Sequence, residues 1–321
     1  MTETINRQEI VPAGLNYARF DQAASALFPE YSRSRLQSWI KGGQLTANHS
    51  SCRPRDKVHE GDVLTLQAEL QPEGRFEAEA IALDIVYEDD DIIVINKPAG
   101  LVVHPGAGNP SGTLLNALLS HCPSIDSVPR AGIVHRLDRD TTGLMVVAKT
   151  LQAHADLVAQ LQARDVHREY DAVVMGSMTG GGKVEEPMGR HPQQRTKMAV
   201  VQFGGKEAIT HYRLQKRYRD HCHVRCFLET GRTHQIRVHM AHRNYPLVGD
   251  PLYGGRLKQP AGATEALRQA LHKFPRQALH ARKLGLIHPA TGEYREFEAP
   301  LPEDMQALIR VLEQDARSDE Q

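Results

Sequence analysis

The stretch AGIVHRLDRDTTGLMVVAKT, residues 131–150, sets the hardest condition on the fold. Four formal charges and a histidine fall within the six residues from His135 to Asp140, and apolar runs stand on both sides. An ionised side chain carried into a core costs several kcal/mol unless it is paired. The chain must therefore bring these charges to the rim of its core strands. Ile133 and Val134 are expected to end one strand and Gly143 to Val147 to begin another. The charged residues then occupy the connecting loop, where a rigid scaffold can present side chains to a ligand. Asp138 stands at the centre of that loop, where a carboxylate can act as nucleophile or base if a nearby cation keeps it ionised and aimed.

A chain of 321 residues exceeds the usual single-domain size, so one large and one small domain are expected, with ample material for a core. Hydrophobic residues at 40% and charged residues at 24% suit a globular protein, and no apolar run is long enough for a membrane span. The start, MTETINRQEIVPAG, lacks the basic and apolar regions of an export signal, which points to the cytoplasm. Cys52, Cys122, Cys222 and Cys226 are then expected as reduced thiols.

The net charge of zero conceals two blocks. Residues 68–92 carry nine acids against Arg75 alone, and residues 190–243 carry twelve Lys or Arg against Glu207, Asp220 and Glu229. A basic block of that size suits a polyanion gripped at several phosphates, and equally an ordinary solvated face.

A seam separates residues 17–75 from 76–321. In the first part, Phe20, Ala23, Ala24 and Leu27 recur at helical spacing, and Ser32 can cap a second helix with a Leu36, Trp39 and Ile40 stripe, ended by Gly42 and Gly43. Short strands are expected near Leu45 and from Val63 to Gln67. Arg33, Arg35, Lys41, Arg53 and Arg55 give this unit a basic side, fit for RNA or merely for water. Residues 68–80, with Pro72 and Gly74 among acids, read as a linker.

The second part is dominated by short strands: the IVYEDDDIIVINKP hairpin, GLMVVAKT, EYDAVVM, KMAVV, AITHYRL and HVRCFLE. Helices are expected at 112–121, 150–164 and 232–243. The class is α+β, with a mixed, mainly antiparallel sheet and flanking helices. Several motifs fail inspection. GGGKV at 180–184 lacks the spacing of a phosphate loop and reads as a turn. Cys222 and Cys226 share a strand face with Val224 and Leu228, away from His221 and His223, so core packing explains them better than zinc. Asp89 to Asp91 read as a hairpin turn, and no glycine-rich dinucleotide loop follows a strand.

Two further groups accompany Asp138. LETGRTHQIRVHMAH, residues 228–242, turns at Gly231 and offers Arg232 at a helix start; VHREYDAVVMG places Tyr170 on a strand. On spacing alone, a structural salt bridge between Asp138 and an arginine is as good a reading as catalysis.

HRLDRDTTGLMVVAKT, HREYDAVVMG and ETGRTHQIRVHMAHRNYPLVGDPLYGG resemble the motifs of the large-subunit ribosomal RNA pseudouridine synthases related to the A-type enzyme, and the similarity runs through nearly the whole chain. LDIVYEDDDIIVINKPAGLVVHPGAGNP and the SRSRLQSWI helix of an S4-type RNA-binding domain narrow it to one branch of that family. The resemblance implies a catalytic domain of pseudouridine-synthase type at 76–321 behind an S4-type domain at 17–75. It implies Asp138 as nucleophile, Tyr170 stacking on the target ring, and Arg232 paired with the aspartate. Arg136 would enter the RNA helix where the base leaves, Ile236 would flank the flipped base, and Arg33, Arg35 and Lys41 would grip RNA. TANHS departs from the usual turn of the small domain.

The implied partner is large-subunit ribosomal RNA or a pre-ribosomal particle, at the stem-loop facing the small subunit, bound by a monomer. No cofactor or metal is implied, because the isomerisation changes no oxidation state. A sibling synthase acting on other ribosomal uridines, or a ribosome-assembly factor that only binds RNA, remain the competing readings.

Overall fold

The computed structural model describes residues 3–29, 31, 33–70, 76–106, 108–194, 196–257 and 259–319. The chain divides into two units, Met1–Arg75 and Phe76–Gln321.

The first unit opens with strand β1 (Glu3–Ile10), ahead of the expected start at residue 17. Helices α1 (Phe20–Leu27) and α2 (Arg33–Lys41) follow, then β2 (Leu45–Ala47) and β3 (Val63–Leu70). The strands form an antiparallel sheet in the order β1-β3-β2. Phe20, Ala23 and Ala24 from α1 meet Leu36, Trp39 and Ile40 from α2 in one core, as their spacing requires, with Leu27 half-buried at its margin. The fully buried Asp21 carboxylate ties the two helices together, accepting from Arg19 at 2.9 and 3.0 Å and from Gln37 at 2.9 Å. β3 runs to Leu70, inside the expected linker; Ser32, Pro72 and Gly74 lie outside the described residues.

The second unit is built on one long sheet. Its strands are β4 (Ile85–Glu88), β5 (Ile92–Lys97), β6 (Thr142–Ala148), β7 (His167–Met175), β8 (Gly182–Glu185), β11 (Ile209–Arg217), β12 (His221–Leu228), β13 (Leu279–Ile287) and β14 (Tyr294–Glu298). β9 (Met188–Arg190) and β10 (Met198–Val200) make a separate small hairpin. The order is β4-β5-β6-β13-β7-β12-β11-β8, with β14 also paired to β13. Every neighbouring pair is antiparallel except β6 with β13. The class expected for this part, a mixed and mainly antiparallel sheet with helices, is the one found.

Helices α3 (Leu114–His121), α4 (Leu151–Ala163), α5 (Gln235–His242), α6 (Glu265–Lys273) and α7 (Glu303–Asp319) cover the sheet. Because side chains alternate along a strand, β6 sends Met145 and Val147 to one face and Leu144, Val146 and Ala148 to the other. Both faces are covered, which is why β6 reads as an unbroken apolar run. The first face also holds Tyr170, Ala172 and Val174 from β7, Cys222 and Cys226 from β12, and Ile236 from α5. The two cysteines are thus core packing, as their strand period implies.

Gly143 fixes the junction with β13. Its φ is +112°, and a Cβ there would lie 2.2 Å from the Ala281 carbonyl oxygen. Ahead of it, Ile133 and Val134 do not end a regular strand. Short helical turns at Pro123–Ser127 and Pro129–Gly132 fill that segment, with Arg130 and Ala131 in the left-handed region, and Ile133 makes only an isolated bridge to Val147. Pro129 and Gly132 break up what would otherwise be an extended run. GGGKV turns at Gly180 and opens β8.

Candidate active site

The loop from His135 to Thr141 is held at almost every residue. The amide of Val146 donates to His135 Nε2 at 3.1 Å, and burial drives that ring to a pKa of about 3, so it is a neutral acceptor. Leu137 is buried in the core beneath. The carbonyl of Asp138 accepts from Thr141 N at 3.1 Å, that of Arg139 from Gly100 N at 3.0 Å, and that of Asp140 from Arg276 Nη1 at 3.1 Å. Gln277 donates to Thr141 Oγ1. Lys97, 1% exposed at the end of β5, sends its ammonium to the carbonyls of Pro98, Leu101 and Arg139 at 2.8–2.9 Å. Burial pulls its pKa down to about 7, against the attraction of Asp140 and Asp138. A loop pinned by so many long-range bonds holds the Asp138 side chain in place before substrate arrives.

Asp138 is not paired with Arg232. Its Oδ2 accepts from Nη1 of Arg237 at 2.8 Å. Arg237, with its side chain 4% exposed, also forks onto Asp250 at 2.7 and 2.9 Å. Burial opposes the charge on Arg237, but the bond and charge of Asp250, helped by Asp138, raise its pKa above the ordinary value. Asp250 is held below the carboxylate range because Arg237 and the amides of Tyr253 and Leu252 outweigh its burial. Arg232 instead points its Nε at the Glu207 carbonyl, 2.9 Å away.

The cause of the exchange is the point where α5 begins. The helix starts at Gln235, three residues later than the expected 232, after His234 adopts φ +58°. Arg232 therefore lies on the approach loop and Arg237 takes the inward position on the helix. Gln235, 3% exposed, organises the corner: its Oε1 accepts from Thr230 Oγ1 and Arg232 N, and its Nε2 donates to Ile209 O and Thr210 Oγ1. A non-glycine residue in the left-handed region costs about 1 kcal/mol and marks a place where geometry is imposed from outside. His234 there accepts or donates at 2.7 Å with the Tyr253 hydroxyl, and its Nε2 is 3.8 Å from Asp138 Oδ1.

Tyr170 and Ile236 are both buried in the core cluster that contains Leu137. Tyr170 feels the charges of Arg168 and Asp138, and burial raises its phenol, which stays protonated at neutral pH. Arg136 is exposed, and among the described residues it makes no hydrogen bond or ion pair. Asp138, Tyr170 and Ile236 thus belong to one neighbourhood with Arg136 at its rim, and Arg237 takes the place expected for Arg232. In the other unit, Lys41 is exposed and the Arg35 guanidinium lies 5.7 Å from the Trp39 ring centre; the side chain of Arg33 lies outside the described residues.

Part of the basic block of residues 190–243 is spent on ion pairs. Arg225 faces Asp171, Arg219 faces Asp315, Lys216 faces Glu313, and Arg237 is buried between Asp138 and Asp250. Sequence reasoning missed Arg237 because it looked for a helix-start cation. The available signal was GDP at 249–251, an acid-plus-proline turn beyond the basic block, where Asp250 accepts from the amides of Leu252 and Tyr253.

Residues 91–242, which carry both loops, match the family model for RNA pseudouridylate synthase. The chain is 60% identical over 98% of both chains to ribosomal large subunit pseudouridine synthase D of Pseudomonas aeruginosa. It is 58% identical to the protein of that name in Escherichia coli, over 92% of this chain and 91% of the relative. Among solved structures, human RNA pseudouridylate synthase domain containing 4 superposes with a TM-score of 0.57 at 26% identity, covering 71% of this chain and 92% of that one. With a pinned carboxylate loop on this sheet and identity at that level from end to end, the chain belongs to the RNA pseudouridylate synthase family.

Proposed function

We propose that the chain converts specific uridines of large-subunit ribosomal RNA to pseudouridine, with Asp138 as nucleophile. The observation that carries this reading is the Asp138–Arg237–Asp250 chain. One guanidinium, clamped by a fully buried second carboxylate, holds a partly exposed carboxylate close enough for its charge to act on Tyr170, which shares a core cluster with Ile236. The names of the relatives supply the RNA class.

In the isomerisation the bond from N1 to the ribose breaks, a bond from C5 to the same carbon forms, and the proton on C5 is lost while N1 gains one. Asp138 acts at the ribose or at the ring. Arg237 orients it through the 2.8 Å bond, the place the resemblance gave to Arg232. The uridine must first leave its stack, at a cost of a few kcal/mol. Arg136 is free to fill the vacated place, Tyr170 to stack on the ring, and Ile236 to bound it. The small unit, read as an S4-type domain, contributes Arg35, Lys41 and Arg33 to RNA binding. A monomer acting in the cytoplasm on ribosomal RNA or a pre-ribosomal particle, at the stem-loop facing the small subunit, completes the proposal.

The test is to map pseudouridines in ribosomal RNA from cells with the chain, without it, and with Asp138→Asn. Sites lost in the second and third together support the reading. Sites unchanged without the chain contradict it, and sites elsewhere favour a sibling specificity.

A further inference from the structure

Arg168 is a buried cation that no described side chain neutralises. It is 8% exposed, and no carboxylate pairs with it among the described residues. Its Nη2 makes one long hydrogen bond, 3.3 Å, to the Glu229 carbonyl, and its buried Nε has no partner. The nearby acids are engaged elsewhere: the Glu229 carboxylate with His211 and Arg164, and Glu169 with Arg282. Leaving a guanidinium in this state costs several kcal/mol, a cost that an anionic ligand beside it would offset.

Its position says which anion. Arg168 and Tyr170 alternate onto the same face of β7, about 7 Å apart along the strand. The charge of Arg168 acts on both Tyr170 and the His135 ring of the nucleophile loop. Nη1 is packed under Gly231, where a Cβ would stand 2.6 Å away, and Gly231 is itself exposed. The guanidinium is therefore one atom layer below the surface, beside the ring proposed to hold the target base.

We propose that Arg168 is a substrate-contacting residue that binds the uracil anion released when the bond between N1 and the ribose breaks. This rests on the reading that the chain is a uridine isomerase. Heterolysis of that bond leaves its electron pair on N1, delocalised onto the ring carbonyls. A desolvated cation already in place stabilises this charge far better than water-exposed lysine would. Once C5 has rejoined the ribose and lost its proton and N1 has taken one up, the ring is neutral and the attraction is relaxed.

The experiment compares wild type with Arg168→Met, Arg168→Lys and Gly231→Ala on ribosomal RNA carrying uridine or 5-fluorouridine, whose N1 is the stronger acid and leaves more readily. Single-turnover loss of the parent nucleoside, RNA affinity and melting temperature are measured for each. Arg168→Met is expected to cut the rate on uridine by about 100-fold, with a clearly smaller deficit on 5-fluorouridine and affinity within about 3-fold. Its melting temperature should be unchanged or higher, because an unpaired buried charge has been removed. Arg168→Lys should recover part of the rate, and Gly231→Ala should shift it in the Met direction by displacing Nη1. Equal deficits on both substrates, a fall in melting temperature that tracks the rate, or a loss confined to affinity would overturn the proposal, the last two in favour of a loop anchor or a phosphate contact. A wild-type chain that leaves uridine unchanged overturns the proposed function itself.

Discussion

At the scale of single residues, the centre of the site turns on which arginine meets Asp138. Arg237→Lys keeps the charge but loses the fork onto Asp250 and the directed bond to Asp138, so the rate of pseudouridine formation should fall roughly 100-fold. Arg237→Met strands two carboxylates and should also destabilise the fold by about 3–5 kcal/mol in urea melts. Arg232→Ala removes a surface bond to a carbonyl and should change the rate by less than about 3-fold. A larger loss from Arg232→Ala than from Arg237→Lys would reverse this assignment. Asp138, Tyr170 and Ile236, which the fold brings into one neighbourhood, each sit in a contiguous motif that the resemblance could point to. The Arg237–Asp250 fork was not legible in the sequence, because it depends on a left-handed residue, His234, that delays a helix by three positions.

At the scale of elements, β4 and β5 show how far local pattern reaches. The hairpin over Asp89 to Asp91 follows from turn chemistry alone, and Asp89 caps it by accepting from the amides of Asp91 and Ile92 at 2.9 Å. His288, from beyond β13, closes the other side at 2.7 Å, a contact that no local pattern foretells. Burial alone would raise the Asp89 carboxyl, yet these amides, the Tyr87 hydroxyl and the His288 ring bring it down to about 2. A folded-state pKa below the unfolded value adds stability above about pH 4 that disappears as pH falls through 2. Asp89→Ala should therefore lose at most about 2 kcal/mol at pH 7 and nothing below pH 2. Urea melts across that range check this, and an equal loss at every pH would show a packing effect instead. β1 escaped sequence reading because, among its described side chains, Ile5 alone is well buried, leaving little alternation to detect.

At the scale of the whole molecule, the division after Arg75 implies that a chain starting at Phe76 folds by itself. Starting near Ala80 would be worse, because Asn116 of α3 donates to Glu77 O, and Glu79 accepts from Gly112 N. The shortened chain should keep its rate at saturating RNA and bind natural RNA about 10-fold more weakly, with a shallower salt dependence. Unchanged affinity would reduce Lys41 and its neighbours to a solvated face. The basic block at 190–243 was visible in the sequence, but its neutralising partners Asp171, Asp250, Glu313 and Asp315 all fall outside that window. Charge counted along a chain therefore overstates charge offered at a surface.

The most direct measurement is the single-turnover formation of pseudouridine in large-subunit ribosomal RNA by wild type and Asp138→Asn, beside the RNA affinity and melting temperature of both. The near-isosteric change keeps the loop, which is held by its backbone carbonyls and not by the carboxylate. Product should vanish while affinity stays within a few-fold and the fold melts as before. Pseudouridine formed at a comparable rate by Asp138→Asn would contradict the nucleophile assignment, and loss of folding together with binding would make the Asp138–Arg237 pair a structural bridge.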